Sequence, residues 1–116
     1  MTTSTPVPHP GARALLLWAL GRLQRFQVRG ASMTPALEDG DTVLIDPRAR
    51  PAPGAVVVAR HPYRSDVTVV KRVAAITGAG KLHLSGDNPA ESTDSAHYGA
   101  VPTERLLGVV VAKLPR

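Results

Sequence analysis

The sequence predicts a small, mostly β protein with a short N-terminal helix. The chain has 116 residues, the length of one domain with one modest core. Hydrophobic residues make up 43% of it and aromatic residues only 3%, while 11 prolines and 10 glycines divide the apolar residues into short runs. Short apolar runs separated by turn residues are typical of a small β-barrel or β-sandwich.

The N-terminal part of the chain predicts a tail followed by a helix. Residues 1–11 are rich in Thr, Pro and Ser, a composition that favours a disordered tail. Residues 12–25 predict a short helix, because an unbroken apolar run from Ala14 to Leu20 is flanked by arginines. This run is too short to cross a bilayer, which takes about 20 apolar residues. We therefore expect a soluble, cytoplasmic protein, with docking of this helix on a membrane surface as the alternative.

Residues 26–116 predict a single β domain without repeats. The segment FQVRG is followed by five apolar runs, and each has the length of a strand. Between them lie segments rich in Gly, Pro, Asp and Ser, which predict turns. The five runs are TVLID, GAVVVAR, DVTVVKRVAAI, KLHLSGD and LLGVVVAKL.

Composition also excludes several kinds of function. The net charge of +5 would favour acidic partners, but the basic residues are dispersed and few aromatic residues accompany them, so we expect no nucleic-acid binding. The chain has no cysteine, which excludes a thiolate nucleophile and a cysteine-based zinc site. Its four histidines are widely spaced and predict no metal site, and we expect no cofactor.

Two residues stand out as candidates for chemistry. Ser32 lies in the turn-rich stretch RGASMTPALEDGDTVLID, and a serine needs a basic partner to be a good nucleophile. In DVTVVKRVAAI, strand alternation places Lys71 on the same face as Val69 and Val73. Burial there would lower the lysine pKa and yield an amine able to act as a general base. The alternative is an edge strand from which Lys71 extends into water.

Three sequence boxes together resemble the Ser/Lys type I signal peptidases. These boxes are GASMTPALEDGDTVLID, VVKRVAAI and GDNPAESTDSAHYGAVP, in the family's order and spacing over most of residues 28–111. The resemblance implies a β-rich protease fold in which Ser32 attacks the peptide carbonyl and Lys71 is the general base. It also implies that Ser92 orients the lysine through a hydrogen bond and that Asp94 has a structural role.

The chain departs from the better-studied members of that family at two positions. Gly30 replaces a serine that helps to bind the oxyanion, so the backbone N–H of Ser32 would remain as donor and Gly30 would allow close approach of substrate. Ala96 replaces an arginine that pairs with the aspartate, and His97 or Arg72 is a candidate substitute. Met33 and Pro35 are candidates for the wall of the substrate groove, although packing and turn formation would equally explain them.

The length of the chain leads to the most specific expectation. A compact member without the anchor and extra β domain of typical signal peptidases is similar to the nickel-type superoxide dismutase maturation proteases. The function expected is therefore removal of an N-terminal propeptide from nickel-type superoxide dismutase. Three alternatives are a membrane-surface signal peptidase that cleaves exported preproteins, an inactive peptide-binding module and a repressor-type self-cleaving domain.

Overall fold

The mostly-β prediction is confirmed by the computed structural model, which describes residues 6–61, 63–64, 66–88 and 100–115. One α-helix is followed by six strands, and a short 3-10 helix at Thr103–Arg105 precedes the last of them. The elements are α1 (Ala12–Ala19), β1 (Gln24–Gln27), β2 (Thr42–Asp46), β3 (Val56–Arg60), β4 (Thr68–Ile76), β5 (Leu82–Ser85) and β6 (Leu106–Lys113).

All six strands belong to one antiparallel sheet with the order β1-β2-β6-β3-β4-β5. The last strand in the sequence therefore lies inside the sheet, between β2 and β3. Val43 of β2 pairs with Lys113 at one end of β6, and Val57 of β3 pairs with Val109. The chain closes its sheet only when its C-terminal segment has been inserted.

Apolar side chains are buried on both faces of the sheet. Four consecutive residues of β3 are buried, and their side chains alternate between two clusters. A strand buried on both faces has a continuous apolar sequence, which explains the run VVVA. The first cluster contains Val28, Met33, Leu37, Val43, Ile45, Val56, Val58 and Val70; the second contains Val57, Ala59, Val73, Leu82, Leu84, Val101 and Val109.

Helix α1 ends earlier than the predicted range of residues 12–25. It stops at Ala19, and Gly21 then adopts a φ of +75°, a left-handed conformation that terminates helices readily. The segment reaches β1 at Gln24. Leu17 and Trp18 pack against a third cluster of Leu23, Leu44 and Ala112, whereas Leu15, Leu16 and Leu20 are exposed. Among the described residues, no helix is long and apolar enough to cross a membrane.

The predicted disordered tail is ordered in the part that the structure describes, residues 6–11. The carbonyl of Pro8 accepts a hydrogen bond from the N–H of Lys113 (2.8 Å), and His9 Nδ1 donates one to the Lys113 carbonyl (3.1 Å). Val7 packs against the first core cluster. A single apolar anchor and backbone pairing at the end of β6 thus offset the unfavourable composition. Residues 1–5 lie outside the described ranges.

Candidate active site

Ser32 lies in a turn that connects β1 to β2. Its neighbour Met33 is 1% exposed and Leu37 is fully buried, so the turn is anchored in the core from below. The N–H of Leu37 donates to the Met33 carbonyl (2.9 Å), and the hydroxyl of Thr34 donates to the carbonyl of Ala31 (3.0 Å). Ser32 itself stays half-buried at the surface of this anchored turn.

The turn is closed at its base by a second set of hydrogen bonds. The N–H of Val28 donates to the carbonyl of Asp41 (2.7 Å), and the N–H of Gly40 donates to that of Val28 (2.8 Å). Gly30 has a φ of +85° and donates its N–H to Asp39 Oδ1 (2.8 Å). Glycine adopts this conformation at low cost, which explains its presence beside the serine. Because its N–H is already bonded to Asp39, Gly30 contributes to the shape of the turn.

Lys71 is a buried residue in the middle of β4. It pairs with Val57 of β3 and is only 4% exposed. The side chain is therefore enclosed by protein and does not extend into water as it would on an exposed edge. An ammonium group loses hydration on burial, and this loss favours the neutral amine.

Ser32 and Lys71 line the same cavity, of about 920 Å³. One wall is formed by residues around Ser32 and the other by the β3–β4 connection and the first half of β4. Neither the hydroxyl nor the N–H of Ser32 forms a hydrogen bond with any residue in the described ranges. The lining residues are Phe26, Gln27, Arg29, Gly30, Ala31, Ser32, His61, Arg64, Asp66, Val67, Thr68, Val69, Val70 and Lys71.

The cavity combines an apolar floor with polar and charged residues near its opening. Val70 is buried and Phe26 is half-buried, whereas Arg29, Arg64 and Asp66 are exposed. Charges of both signs are thus present. The mixture suits a peptide, which has both apolar side chains and polar backbone groups, better than a uniformly charged polymer. Histidine and carboxylate side chains form no group of three that could hold a metal ion in the described part of the chain.

Two strand edges border this cavity. β1 pairs with β2 on one side, and the first half of β4 pairs with β3 on one side, since β5 pairs only with β4 residues from Arg72 onward. Within the described ranges, no strand occupies the opposite side of either segment. A strand edge presents backbone donors and acceptors that can pair with an added extended chain.

A segment that sequence reasoning treated only as a turn connects the two walls. Asn88 donates from its backbone N–H to the Ser32 carbonyl (2.9 Å) and from its side chain to Ala31 and Thr34. Asp87 accepts two hydrogen bonds of 2.9 Å from the guanidinium of Arg72, the residue after Lys71. The only sequence signal for these contacts was the position of Gly86, Asp87 and Asn88 at the start of the third box.

The Arg72–Asp87 ion pair also bears on the missing arginine at Ala96. The two side chains are 15% and 8% exposed, and Arg72 Nη1 additionally donates to the Gly54 carbonyl (2.7 Å). Within the described residues, the carboxylate that Arg72 contacts is thus Asp87. The predicted lysine-orienting Ser92 and structural Asp94, together with Ala96 and His97, lie outside the described ranges.

The two residues predicted for the substrate groove occupy other positions. Met33 belongs to the first core cluster, because strand-like alternation in the turn points it away from Ser32 and into the sheet. Pro35 lines a separate cavity of about 260 Å³ together with His9 and Glu38. Packing and turn formation therefore account for both residues, as the alternative reading of the sequence allowed.

Comparisons with known proteins place this geometry in a family context. A family model described as Peptidase S24-like matches residues 20–111, well over half of the chain. Subunit 1 of the mitochondrial inner membrane protease of Schizosaccharomyces pombe is 34% identical over 115 residues, covering 77% of this chain and 73% of that protein. The subunits of the same name from Xenopus tropicalis and Mus musculus are 29% and 27% identical over 108 residues.

The two vertebrate alignments cover 73% of this chain and 65% of each relative, so the chain spans slightly less than two thirds of their length. All three relatives carry the name of a membrane protease subunit, which agrees with the predicted peptidase class. Their names do not support the finer expectation of a superoxide dismutase maturation protease. They favour the membrane-surface alternative.

Proposed function

Since the chain belongs to the Peptidase S24-like family, we propose that it is a serine endopeptidase of the signal-peptidase type that acts at a membrane surface. Ser32 is the nucleophile and Lys71 is the general base. The observation that carries this proposal is the cavity, which is lined by both the half-buried serine and the buried lysine.

The reaction begins with proton transfer from Ser32 Oγ to the neutral amine of Lys71. The serine oxygen then forms a bond to the scissile carbonyl carbon, and the resulting oxyanion accepts a hydrogen bond from the backbone N–H of Ser32. When the carbon–nitrogen bond breaks, the Lys71 ammonium returns its proton to the leaving amine. A water molecule, deprotonated by Lys71, hydrolyses the acyl ester and releases Ser32.

This mechanism requires Lys71 to be uncharged when substrate binds. Its burial supports that requirement, because desolvation disfavours the ammonium form. Catalytic hydrogen bonds are often absent or long before substrate arrives and tighten in the Michaelis complex. The absence of a hydrogen bond to the Ser32 hydroxyl from the described residues is therefore compatible with the proposed roles.

The peptide substrate binds in an extended conformation in this proposal. A strand added between β1 and the first half of β4 would pair its backbone with one or both edges and place a scissile bond beside Ser32. Binding through the backbone gives affinity for many sequences, and the apolar floor selects side chains that fit it. A protease with several precursor substrates needs this combination.

Helix α1 supplies the membrane contact. Leu15, Leu16 and Leu20 are 47%, 59% and 67% exposed, and the neighbouring Arg13 and Arg22 are exposed as well. Exposed leucines beside arginines suit the boundary of an anionic bilayer, where apolar side chains enter the lipid and cations contact headgroups. The printed names of the relatives give independent support for a membrane location.

The proposed chemistry can be tested by cleavage of a signal-peptide precursor presented on vesicles. Ser32→Ala and Lys71→Met should abolish cleavage, because the first removes the nucleophile and the second replaces the amine by an apolar group of similar length. Ser85→Ala and Lys81→Met are matched controls outside the cavity lining and should cleave as the parent does. Cleavage by Ser32→Ala at the parental rate would contradict the assignment.

Propeptide removal from nickel-type superoxide dismutase is a second substrate hypothesis with the same chemistry. The sequence resemblance motivates it, whereas the relatives favour the membrane substrate. Parallel assays with a soluble propeptide and a vesicle-bound precursor separate the two. Faster cleavage of the soluble propeptide, unaffected by vesicles, would favour the maturation protease. Binding of peptide without cleavage by the parent protein would instead identify an inactive module.

A further inference from the structure

Asn88 joins two segments that are far apart in the sequence. Its backbone N–H donates to the carbonyl of Ser32 at 2.9 Å. Its side-chain Nδ2 donates to the carbonyl of Ala31 at 3.2 Å and to Thr34 Oγ1 at 2.9 Å. Three hydrogen bonds from one residue thus hold both sides of the residue proposed as nucleophile.

The pattern of donors and acceptors at this contact is specific for an amide nitrogen. The Ala31 carbonyl can only accept, and the Thr34 hydroxyl already donates its proton to that same carbonyl (3.0 Å). Both atoms facing the Asn88 side chain therefore present lone pairs. A carboxylate of the same size would place a negative oxygen against them, so aspartate is an unfavourable replacement despite its shape.

The residue before Asn88 makes a corresponding contact to the other wall of the cavity. Asp87 binds Arg72 through two hydrogen bonds of 2.9 Å, and Arg72 directly follows Lys71 in β4. Adjacent residues of one turn therefore contact the turn that carries Ser32 and the strand that carries Lys71. Charge-assisted bidentate pairs and multiple hydrogen bonds both restrict geometry strongly.

We propose that Asp87 and Asn88 form a clamp that sets the distance between Ser32 Oγ and Lys71 Nζ, with Asn88 as the positioning residue for the nucleophile. This inference rests on the proposed function and adds to it. Proton transfer requires the serine and lysine to approach hydrogen-bonding distance, and small displacements of reacting groups are costly in rate. Asn88 does not touch the substrate in this account and acts only through the turn.

The test is the rate at which a β-lactam probe acylates Ser32. In that reaction a bond forms between Ser32 Oγ and the lactam carbonyl carbon, the ring carbon–nitrogen bond breaks, and the proton passes through Lys71 to the ring nitrogen. Asn88→Asp replaces the donor by an acceptor, and Thr34→Val removes the hydroxyl that Asn88 contacts. Thr34→Ser keeps that hydroxyl, and Ser85→Ala is a control in the neighbouring strand.

We expect Asn88→Asp and Thr34→Val each to lower the maximal acylation rate constant by about 10- to 100-fold. The probe concentration at half-maximal rate and the pH at half of the plateau rate should remain parental, because neither the cavity wall nor the surroundings of Lys71 change. Thr34→Ser and Ser85→Ala should acylate at the parental rate. A general loss of structure would change the half-saturating concentration and the pH profile together with the rate.

The outcomes separate this inference from the proposed function. If the parent is acylated at Ser32 and both Asn88→Asp and Thr34→Val match its rate, the clamp is refuted while the nucleophile stands. If the parent is not acylated at Ser32, the proposed function fails. Should Asn88→Asp not fold, comparison of Thr34→Val with Thr34→Ser decides the inference, and equal rates for that pair would overturn it.

Discussion

Replacement of Leu16 and Leu20 by serine should weaken binding to anionic vesicles. Burying a whole leucine side chain contributes about 1.5–3 kcal/mol, and these side chains are 59% and 67% exposed. Insertion of the exposed part into lipid is therefore worth about 1–2 kcal/mol for each leucine. Removing both should cost about 2–3 kcal/mol, which corresponds to a decrease in partitioning of about 30- to 150-fold.

Sedimentation with anionic vesicles at low salt measures this partitioning directly. Ile76→Ser is the matched control, since Ile76 is an exposed apolar residue of 38% exposure on β4 and not on α1. The control should bind as the parent does. Binding of both should decrease with added salt, because exposed Arg13 and Arg22 contact headgroups only at the surface. Equal binding by the double variant and the parent would refute the role assigned to α1.

Three further predictions concern stability and catalysis. Gly108→Ala should lower the free energy of unfolding by about 1–3 kcal/mol, as measured by urea unfolding, because its Cβ would lie 3.2 Å from backbone atoms of Asp46; unchanged stability would show that β2 can yield. Arg72→Gln should cost about 3 kcal/mol, because the largely buried Asp87 loses its ion pair, and the loss should vanish in Asp87→Asn if the pair is its cause. The cleavage rate should rise with pH and reach a plateau once the general base is deprotonated, and a flat profile from pH 5 to 10 would contradict a lysine base.

The elements of the fold follow from local patterns, whereas their arrangement does not. Alternation and turn residues predict the strands because both depend on neighbouring residues. The position of β6 between β2 and β3 depends on pairing between distant segments, which no local pattern encodes. The helix boundary was misjudged because apolar periodicity outweighed Gly21, and the tail because composition outweighed the single anchor Val7.

For the site, the predictable part is the part that depends on alternation. The burial of Lys71 follows from its apolar neighbours in β4, and the structure places it at 4% exposure. The contacts of Asn88 could not be predicted, because they link residues 54 and 57 positions apart and any polar turn residue could occupy such a place. Met33 shows the converse, since its place beside Ser32 in sequence suggested a groove wall although its side chain enters the core.

The central claim is that Ser32 is a nucleophile activated by Lys71. Intact-protein mass spectrometry after incubation with an acylating serine probe, followed by peptide mapping, tests it most directly. The account predicts one acyl group per chain on Ser32 in the parent and in Lys81→Met, and no acylation in Ser32→Ala or Lys71→Met. Acylation of Lys71→Met at the parental rate, or of the parent at another residue, would contradict it.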